Sequence, residues 1–258
     1  MTTTPYETQP TPPWASARRW LKQRLSRSWA LTVTGAHPVT PRMSRVGLIG
    51  EDLAQLDWTP GQDLVLELPV GGGEAAQRHY TIRRFDPAEL RLDIDFVRHG
   101  HGASARWLDA LRPGDRLQAL GPRGRTRLAA DADRHLFLGD ETAIPAIFAM
   151  AETLPRGARA LALIEVEDET DVQPLDTAAD VTVEWRYRRG APPAASNLVL
   201  DRLQALAPDP YATQAYVLGE TSQVRAQRHL LLSQGFDKTR ITAEGYWRPG
   251  RIGGHDHV

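Results

Sequence analysis

Residues 135–146 read HLFLGDETAIPA, an apolar run that ends at Gly139 and leads into the start of an apolar helix. An uninterrupted apolar run of this kind is typical of a strand buried on both faces of a parallel sheet. The pattern then continues with helices at 143–154, 197–206 and 221–234 and strands at 159–166, 181–187, 214–218 and 239–244. This alternation predicts βαβ units, and therefore an α/β domain built on a parallel sheet.

Upstream of this stretch, the chain has the pattern of short strands separated by turns. Strands are predicted at 29–36, 44–49, 62–68, 78–85, 90–97 and 115–120, with a short helix at 103–111. Six strands at this spacing predict a small antiparallel β-barrel. The change of period divides the chain into an arm (1–28), a barrel domain (29–130) and an α/β domain (131–258).

The composition is that of a globular protein, with 258 residues, 41% of them hydrophobic and 24% charged. The chain has no cysteine. This excludes disulfides, thiolate metal sites and cysteine nucleophiles, so redox chemistry would require an organic cofactor. No apolar segment approaches the ~18 residues of a membrane span, and the N-terminus lacks the apolar core of a signal peptide. We therefore expect a cytoplasmic protein without membrane insertion.

The formal net charge is -1, but the charge is unevenly distributed. Between Glu7 and Glu51 there are seven lysines and arginines and no acidic residue. The remaining body is acidic, which argues against a nucleic-acid partner and leaves a basic arm. Apolar side chains recur at helical spacing within residues 14–26. This segment is predicted either to pack on the body as a terminal helix or to contact a membrane surface or a partner.

The segment RHYTIR (78–83) lies on a predicted barrel strand. Alternation places Arg78 and Tyr80 on one face and Thr81 and Arg83 on the other, with Arg84 pointing away from Arg83. An aromatic ring, a hydroxyl and arginine at one strand edge suit an isoalloxazine ring with a pyrophosphate tail. The alternative is a cross-strand pairing of tyrosine with arginine.

Two further segments join a strand to a helix. In DFVRHGHGASARW (95–107) the glycines leave backbone N–H groups free for phosphate oxygens. His99 and His101 suggest metal ligands as the alternative, but we predict no metal site. Gly139 to Thr142 follow a buried strand, where open α/β sheets bind their ligands. Asp140 and Thr142 are predicted as helix caps or as ligand contacts, and the usual G-x-G-x-x-G fingerprint is absent.

Together with TPRMSRV (40–46), GPRG (121–124), Gly219-Glu220 and GYWRPG (245–250), these segments resemble, in order, the signatures of the siderophore-interacting proteins. These are the FAD-dependent ferric-siderophore reductases of the ferredoxin-reductase superfamily. The resemblance implies a flavin-binding barrel followed by a nucleotide-binding domain. It also implies that NADH or NADPH reduces FAD, which then passes single electrons to the iron of a ferric siderophore. We expect such an enzyme to act as a monomer.

The resemblance also implies roles for particular residues. Arg78, Tyr80, Thr81 and Arg83 would hold the flavin ring and the near phosphates, and Tyr246 with Trp247 would return the C-terminal end to the flavin. Asp140 and Thr142 would lie where nicotinamide approaches. The pyrophosphate would be wrapped by His99, Gly100, Gly102, Ala103, Ser104 and Ala105. The chain departs from the family pattern in Ala103-Ser104-Ala105, where the hydroxyl is moved by one position, and in Gln62-Asp63-Leu64, which lacks a lysine that many relatives carry near the chelate.

Substrate recognition is predicted to involve a basic rim, because guanidinium groups receive anionic oxygen-rich chelates well. Its proposed members are Arg42, Arg123, Arg240 and Arg248, with solvated surface charge as the alternative for Arg42 and Arg240. Acidic residues at 165–169 favour NADH, whereas Arg186, Arg188 and Arg189 favour NADPH. Because the cofactor carries the redox chemistry, no catalytic side chain is predicted. The alternatives are a module that binds a siderophore or heme-like ligand without turnover, and a flavin reductase for another electron acceptor.

Overall fold

The computed structural model describes residues 27–71, 74–98, 102–129, 132–250 and 256–257. Two predicted features therefore lie outside the described residues: the N-terminal arm as far as residue 26, and the loop residues His99, Gly100 and His101. The described chain forms a closed six-stranded barrel followed by a six-stranded sheet. None of the helices in these ranges is long and apolar enough to cross a membrane.

The barrel is built from six antiparallel strands in the order β1-β2-β5-β4-β3-β6, which confirms the predicted architecture. Alternation builds its interior, because Trp29, Leu31 and Val33 of β1 are buried while the residues between them face outward. Leu64, Leu66 and other inward residues complete one apolar core. The strands are β1 (Ser28–Thr40), β2 (Met43–Ile49), β3 (Asp63–Gly71), β4 (Glu74–Asp86), β5 (Arg91–Val97) and β6 (Arg116–Arg123).

A short helix, α1 (Ala103–Ala110), packs against the barrel. Trp107 and Leu108 belong to the barrel core, and the Trp107 ring lies 5.3 Å from the ring of Phe96. The helix begins at Gly102, whose backbone is extended. The apolar face of α1 therefore fixes where its N-terminus stands relative to the strands.

Strand β4 contains a β-bulge at Arg83. Ile82 pairs with Ile94, but Arg84 rather than Arg83 is opposite Asp93. The extra residue interrupts the alternation, since a bulge places two residues of one strand against one of its partner. Ile82 and Phe85 pack on the barrel core, so both arginines between them lie outside the core. The expectation that Arg84 points away from Arg83 is corrected by this bulge.

The second sheet has the order β12-β11-β10-β7-β8-β9, and β7 to β11 are parallel, as predicted. A short antiparallel strand, β12, was not predicted. The remaining strands are β7 (Arg134–Asp140), β8 (Arg159–Val166), β9 (Asp180–Tyr187), β10 (Thr213–Glu220), β11 (Ile241–Trp247) and β12 (Asp256–His257). The helices are α2 (Ile144–Ala151), α3 (Leu198–Leu206) and α4 (Thr221–Ser233).

The strand order reverses at β7. The chain winds outward from β7 through β8 to β9, and then returns to place β10 on the other side of β7. In open α/β sheets, ligands bind at such a switch point, outside the carboxyl ends of the strands. The crevice beside the ends of β7 and β10 is therefore the position at which this sheet is suited to bind a ligand.

The two domains meet along α2 and the β1–β2 connection. All eight residues of α2 are buried, and the helix packs against barrel strand β4 as well as β7 and β8. From the barrel, Met43 packs within the core of the α/β domain, where its sulfur lies 3.3 Å from Gln173 Nε2. Thr40 Oγ1 donates to Asp171 Oδ1 at 3.1 Å. The domains are therefore joined by apolar packing and by buried hydrogen bonds.

Candidate functional site

On strand β4, Tyr80 lies beside the N-terminus of α1. The Tyr80 hydroxyl donates to Ser104 Oγ at 2.6 Å, and its ring lies 4.1 Å from the ring of Phe96. Burial raises the pKa of Tyr80, and the hydrogen bond to Ser104 opposes this shift only in part. Arg78 is half-buried on the same strand, and its guanidinium donates to the carbonyl of Gln77 at 2.8 Å. Tyr80 and Ser104 are therefore neighbours, as their predicted roles require.

The N-terminus of α1 presents backbone amides that suit an anion. Its cap residue, Gly102, supplies no side-chain hydrogen bond, and the first turn contains no acidic residue. Among the described residues, no heavy atom lies within 4 Å of a Cβ atom built on Gly102. The first-turn amides of a helix, including those of Ala103, Ser104 and Ala105, have no acceptor within the helix. Such amides and the helix dipole favour a phosphate.

The opposite face of β4 carries Thr81, which meets the C-terminal strand. The Tyr246 hydroxyl and the Thr81 side chain are hydrogen-bonded, and burial raises the pKa of Tyr246 well above its usual value. Beside them, His79 Nδ1 and Asp63 Oδ2 lie 2.6 Å apart. Asp63 is directly opposite Thr81 in the β3–β4 ladder. Sequence reasoning missed this carboxylate–imidazole pair, although pairing the predicted strands β3 and β4 would have placed both residues on one face.

Arg83 lies between the barrel and the α/β domain. Its two terminal nitrogens contact both carboxylate oxygens of Glu152, at 2.7 and 2.5 Å, and its guanidinium lies 5.7 Å from the ring centre of Phe148. Glu152 follows α2 directly. A phosphate contact by Arg83 would therefore share the guanidinium with this ion pair. The sequence contains no local signal for Glu152, because the two residues are 69 positions apart.

At the switch point, Asp140 forms the centre of a hydrogen-bond network. Its Oδ1 accepts from the backbone N–H and hydroxyl of Thr142, at 2.8 and 2.5 Å. Its Oδ2 accepts from the N–H of Glu220 at 2.8 Å and from Trp247 Nε1 at 2.9 Å. Burial, together with the charge of Glu141, raises the pKa of Asp140 to about 6, although the hydrogen bonds from Thr142 and Trp247 oppose this shift. Asp140, Thr142 and Trp247 therefore meet at the switch point.

The neighbouring strand ends are occupied by an ion-pair cluster around Arg188. This arginine is buried, and its terminal nitrogens contact both oxygens of Glu141 at 2.7 Å. It also lies within 3.4 Å of Glu165 and 3.7 Å of Glu167. Ser196 donates to Glu165 at 2.5 Å. Arg186, Arg188 and Arg189 are thus not equivalent as signals for NADPH, since Arg188 is already surrounded by carboxylates.

The four arginines of the predicted basic rim do not come together. Arg42 forms ion pairs with Asp168 and Asp171 at 2.8 and 2.9 Å, across the domain interface. Arg240 precedes β11, whereas Arg248 follows it. At about 3.3 Å per strand residue, these two arginines lie roughly 25 Å apart, at the two ends of the same strand. The prediction for Arg240 is therefore corrected, because it lies at the amino end of β11, whereas Arg42, Arg123 and Arg248 stay predictions.

Arg123 ends β6 and is directly opposite Asp63 in the β3–β6 ladder. It is half-buried and has no ion-pair partner among the described residues. Arg248 is exposed directly after Tyr246 and Trp247. In the described part of the chain, no group of three or more histidine or acidic side chains is arranged to hold a metal ion.

Comparison with known proteins agrees with this arrangement. Residues 65–126 match the family described as the siderophore-interacting FAD-binding domain, and residues 132–250 match the family described as siderophore-interacting protein. The ferric vibriobactin reductase ViuB of Vibrio cholerae is 30% identical over 83% of this chain and 86% of its own length.

The chain belongs to the siderophore-interacting protein family. A solved structure of a siderophore utilization protein from T. fusca is also similar, with a TM-score of 0.78 and 35% identity over 88% of this chain and 94% of that one. The NADPH-dependent ferric-chelate reductase of Escherichia coli is 28% identical over 68% of each chain.

The residues of this family member fit the flavin that the family domain is named for. The N-terminus of α1 offers amide donors for a pyrophosphate, and Arg78 offers a cation nearby. Tyr80 offers an aromatic ring whose hydroxyl is fixed by Ser104. The hydroxyl that departs from the family pattern by one position belongs to Ser104, and it accepts the hydrogen bond that orients Tyr80.

Proposed function

We propose that the protein is an FAD-dependent oxidoreductase that uses NADH or NADPH to reduce the iron of a ferric siderophore. Support comes from the match to a siderophore-interacting FAD-binding domain and from relatives named as ferric reductases. The observation that carries the proposal is the arrangement of Tyr80 and Ser104 at the N-terminal end of α1. We further propose that the protein acts as a monomer in the cytoplasm, where reduced nucleotides are available.

In this proposal, the barrel holds the cofactor. Amides at the start of α1, with Arg78, bind the phosphates through charge-assisted hydrogen bonds. His99 and Gly100 are proposed to continue this phosphate loop, on the family resemblance alone. Tyr80 contacts the ring, and Thr81 presents its hydroxyl beside Tyr246. When bound, a flavin would supply the conversion of two-electron reduction by a nicotinamide into single-electron transfer to ferric iron.

The α/β domain receives the reduced nucleotide at the switch point. Thr142, at the start of the turn before α2, is half-buried and is held by Asp140. The buried cluster around Arg188 occupies the next strand ends. We propose that NADH is used at least as well as NADPH, because a 2′-phosphate would have to compete with carboxylates already paired to this arginine.

The chelate is proposed to approach Arg123 and Arg248. Anionic oxygens attract Fe³⁺ more strongly than Fe²⁺, because Coulomb attraction scales with charge. Reduction therefore loosens the chelate and favours release of the metal. The protein's part is to position the cofactor and the chelate, and none of its side chains is required as a general acid or base.

The test is the optical spectrum of the purified protein. A protein that carries a flavin band, bleaches with NADH or NADPH without air, and regains its colour when a ferric siderophore is added supports the proposal. Binding of the chelate without bleaching would indicate a binding module. Bleaching without siderophore-dependent reoxidation would indicate a reductase for another acceptor.

A further inference from the structure

The Asp140 carboxylate is fully engaged as an acceptor. A carboxylate offers about four lone-pair positions, and this one receives four donors. The donors come from three separate segments: the turn after β7, the end of β10 and the end of β11. Asp140 therefore joins the two strands that flank the switch point to the strand that carries the C-terminal aromatic residues.

The Asp140 carboxylate packs closely against the backbone of Gly219. A Cβ atom on Gly219 would lie 2.7 Å from Asp140 Oδ2, and Gly219 has a φ of +125°. On the other side, Trp247 is held a second time, because Thr221 Oγ1 donates to its carbonyl at 2.9 Å. Asp140 thus holds the indole N–H of Trp247, and Thr221 holds the backbone carbonyl of the same residue.

The pair Tyr246-Trp247 connects both domains. Tyr246 is hydrogen-bonded to Thr81 of the barrel strand, whereas Trp247 is hydrogen-bonded to Asp140 of the α/β domain. The half-buried indole therefore stands at the crevice between the ends of β7 and β10, with its N–H turned to Asp140. Its orientation depends on an acceptor at Asp140.

We propose that Asp140 is a positioning residue, which fixes the Trp247 indole as a wall of the switch-point crevice and so keeps this crevice ordered for the reduced nucleotide. This inference rests on the proposed function for its kinetic consequence. The contact itself stands on the geometry alone.

Several charged groups face Asp140. Glu141 is its neighbour in the chain, and Glu165 on β8, Arg188 after β9 and Tyr246 on β11 all interact with its charge. Since its pKa is raised to about 6, the carboxyl is ionised above this pH and neutral below it. A neutral carboxyl carries a proton on one oxygen and loses an acceptor position. The hold on Trp247 therefore weakens as the pH falls.

The contact is tested by fluorine NMR of the full-length flavin-loaded protein, in which the seven tryptophans carry fluorine. The variant Trp247→Phe identifies the Trp247 resonance. We expect this resonance to titrate with a midpoint near pH 6 in the parent protein and to be insensitive to pH in Asp140→Asn. Glu165→Gln is the matched control: it changes a carboxylate at the same sheet edge that does not touch the indole, so the resonance should still titrate.

The kinetic consequence is tested with the same variants. Asp140→Asn and Trp247→Phe should each raise the KM for the reduced nucleotide about five- to tenfold, the worth of one hydrogen bond, and the double variant should add little. A Trp247 resonance that does not titrate, or that titrates equally in Asp140→Asn, overturns the proposal. An unchanged nucleotide KM in an active enzyme also overturns it. If the protein oxidises no reduced nucleotide, the proposed function is contradicted instead. The NMR titration still tests the contact between Asp140 and Trp247 in that case.

Discussion

Replacing Arg83 by alanine should weaken the contact between the domains far more than replacing its neighbour Arg84. Arg83 donates to both oxygens of Glu152, at 2.7 and 2.5 Å, and only 9% of its side chain is exposed. Arg84 is exposed beside a shallow polar pocket that includes Asp93. The two arginines therefore form a matched pair of variants at adjacent positions outside the barrel core.

The magnitude follows from how far the ion pair is removed from water. Breaking a fully buried pair costs about 3–5 kcal/mol, whereas an exposed pair contributes only about 0.2–1 kcal/mol. Glu152 remains 27% exposed and can regain water when its partner is lost. We therefore expect Arg83→Ala to lower the free energy of unfolding by about 2 kcal/mol, and Arg84→Ala by less than about 0.5 kcal/mol.

Urea titration followed by fluorescence measures this difference, and FAD titration of the same variants measures the cofactor contact. Loss of a charge-assisted phosphate contact of about 1.5–3 kcal/mol would weaken FAD binding about 10- to 150-fold in Arg83→Ala. Glu152→Gln should lower stability but keep FAD affinity, because it retains the arginine. Equal stability of the Arg83 and Arg84 variants would refute the domain contact, and equal FAD affinity would refute the phosphate contact.

Three further changes test other parts of the site. Arg123→Ala should raise the apparent KM for an anionic ferric chelate about two- to fivefold and reduce the salt dependence of this KM, because Arg123 has no ion-pair partner among the described residues. The control is Arg42→Ala, because the Arg42 guanidinium is already paired with Asp168 and Asp171. Equal effects of the two variants would place the chelate elsewhere. The kcat/KM for NADH should equal or exceed that for NADPH because Arg188 is enclosed by carboxylates, and a preference for NADPH of about tenfold would contradict this. Gly219→Ala should destabilise the fold by about 1–3 kcal/mol more than Gly157→Ala in a thermal melt. Both glycines have positive φ, but only at Gly219 would the new Cβ meet a carboxylate, and equal melting temperatures would show that this clash relaxes.

Much of the fold was predictable because its signals are local. All six barrel strands and the alternation of strands and helices follow from short-range patterns of apolar residues and turn residues. Helix α1 was expected at 103–111 and is found at Ala103–Ala110. The contacts of Tyr80 with Ser104 and of Asp140 with Trp247 bring residues named in the sequence analysis together, and their roles stay predictions.

The surroundings of Arg83 were not predictable from alternation. A bulge at this residue leaves Arg84 on the outer side as well, and bulges depend on how neighbouring strands pair. The ion pair with Glu152 joins residues of different domains. Its formation depends on how α2 packs against β4, which a linear pattern does not encode.

The last parallel strand shows a related limit. It was expected at 239–244 and is found at Ile241–Trp247, where its register is set by pairing with β10. The later end brings Tyr246 and Trp247 into the strand, and it leaves Arg240 at the amino edge. Strand ends are fixed by tertiary pairing, which a linear pattern gives only to within a few residues.

The insertion of Met43 into the core of the α/β domain has a consequence for synthesis on the ribosome. The barrel strands are complete at Arg123, yet the other buried residues of the core that contains Met43, among them Phe137 and Tyr216, leave the exit tunnel later. Domains generally fold in order of emergence. We expect the nascent barrel to expose this apolar side chain until the second domain forms, and protease protection of chains stalled before and after Tyr216 would reveal it. Because synthesis runs from the N-terminus, the barrel domain has an exposed apolar surface at first, and the α/β domain covers it once it has folded.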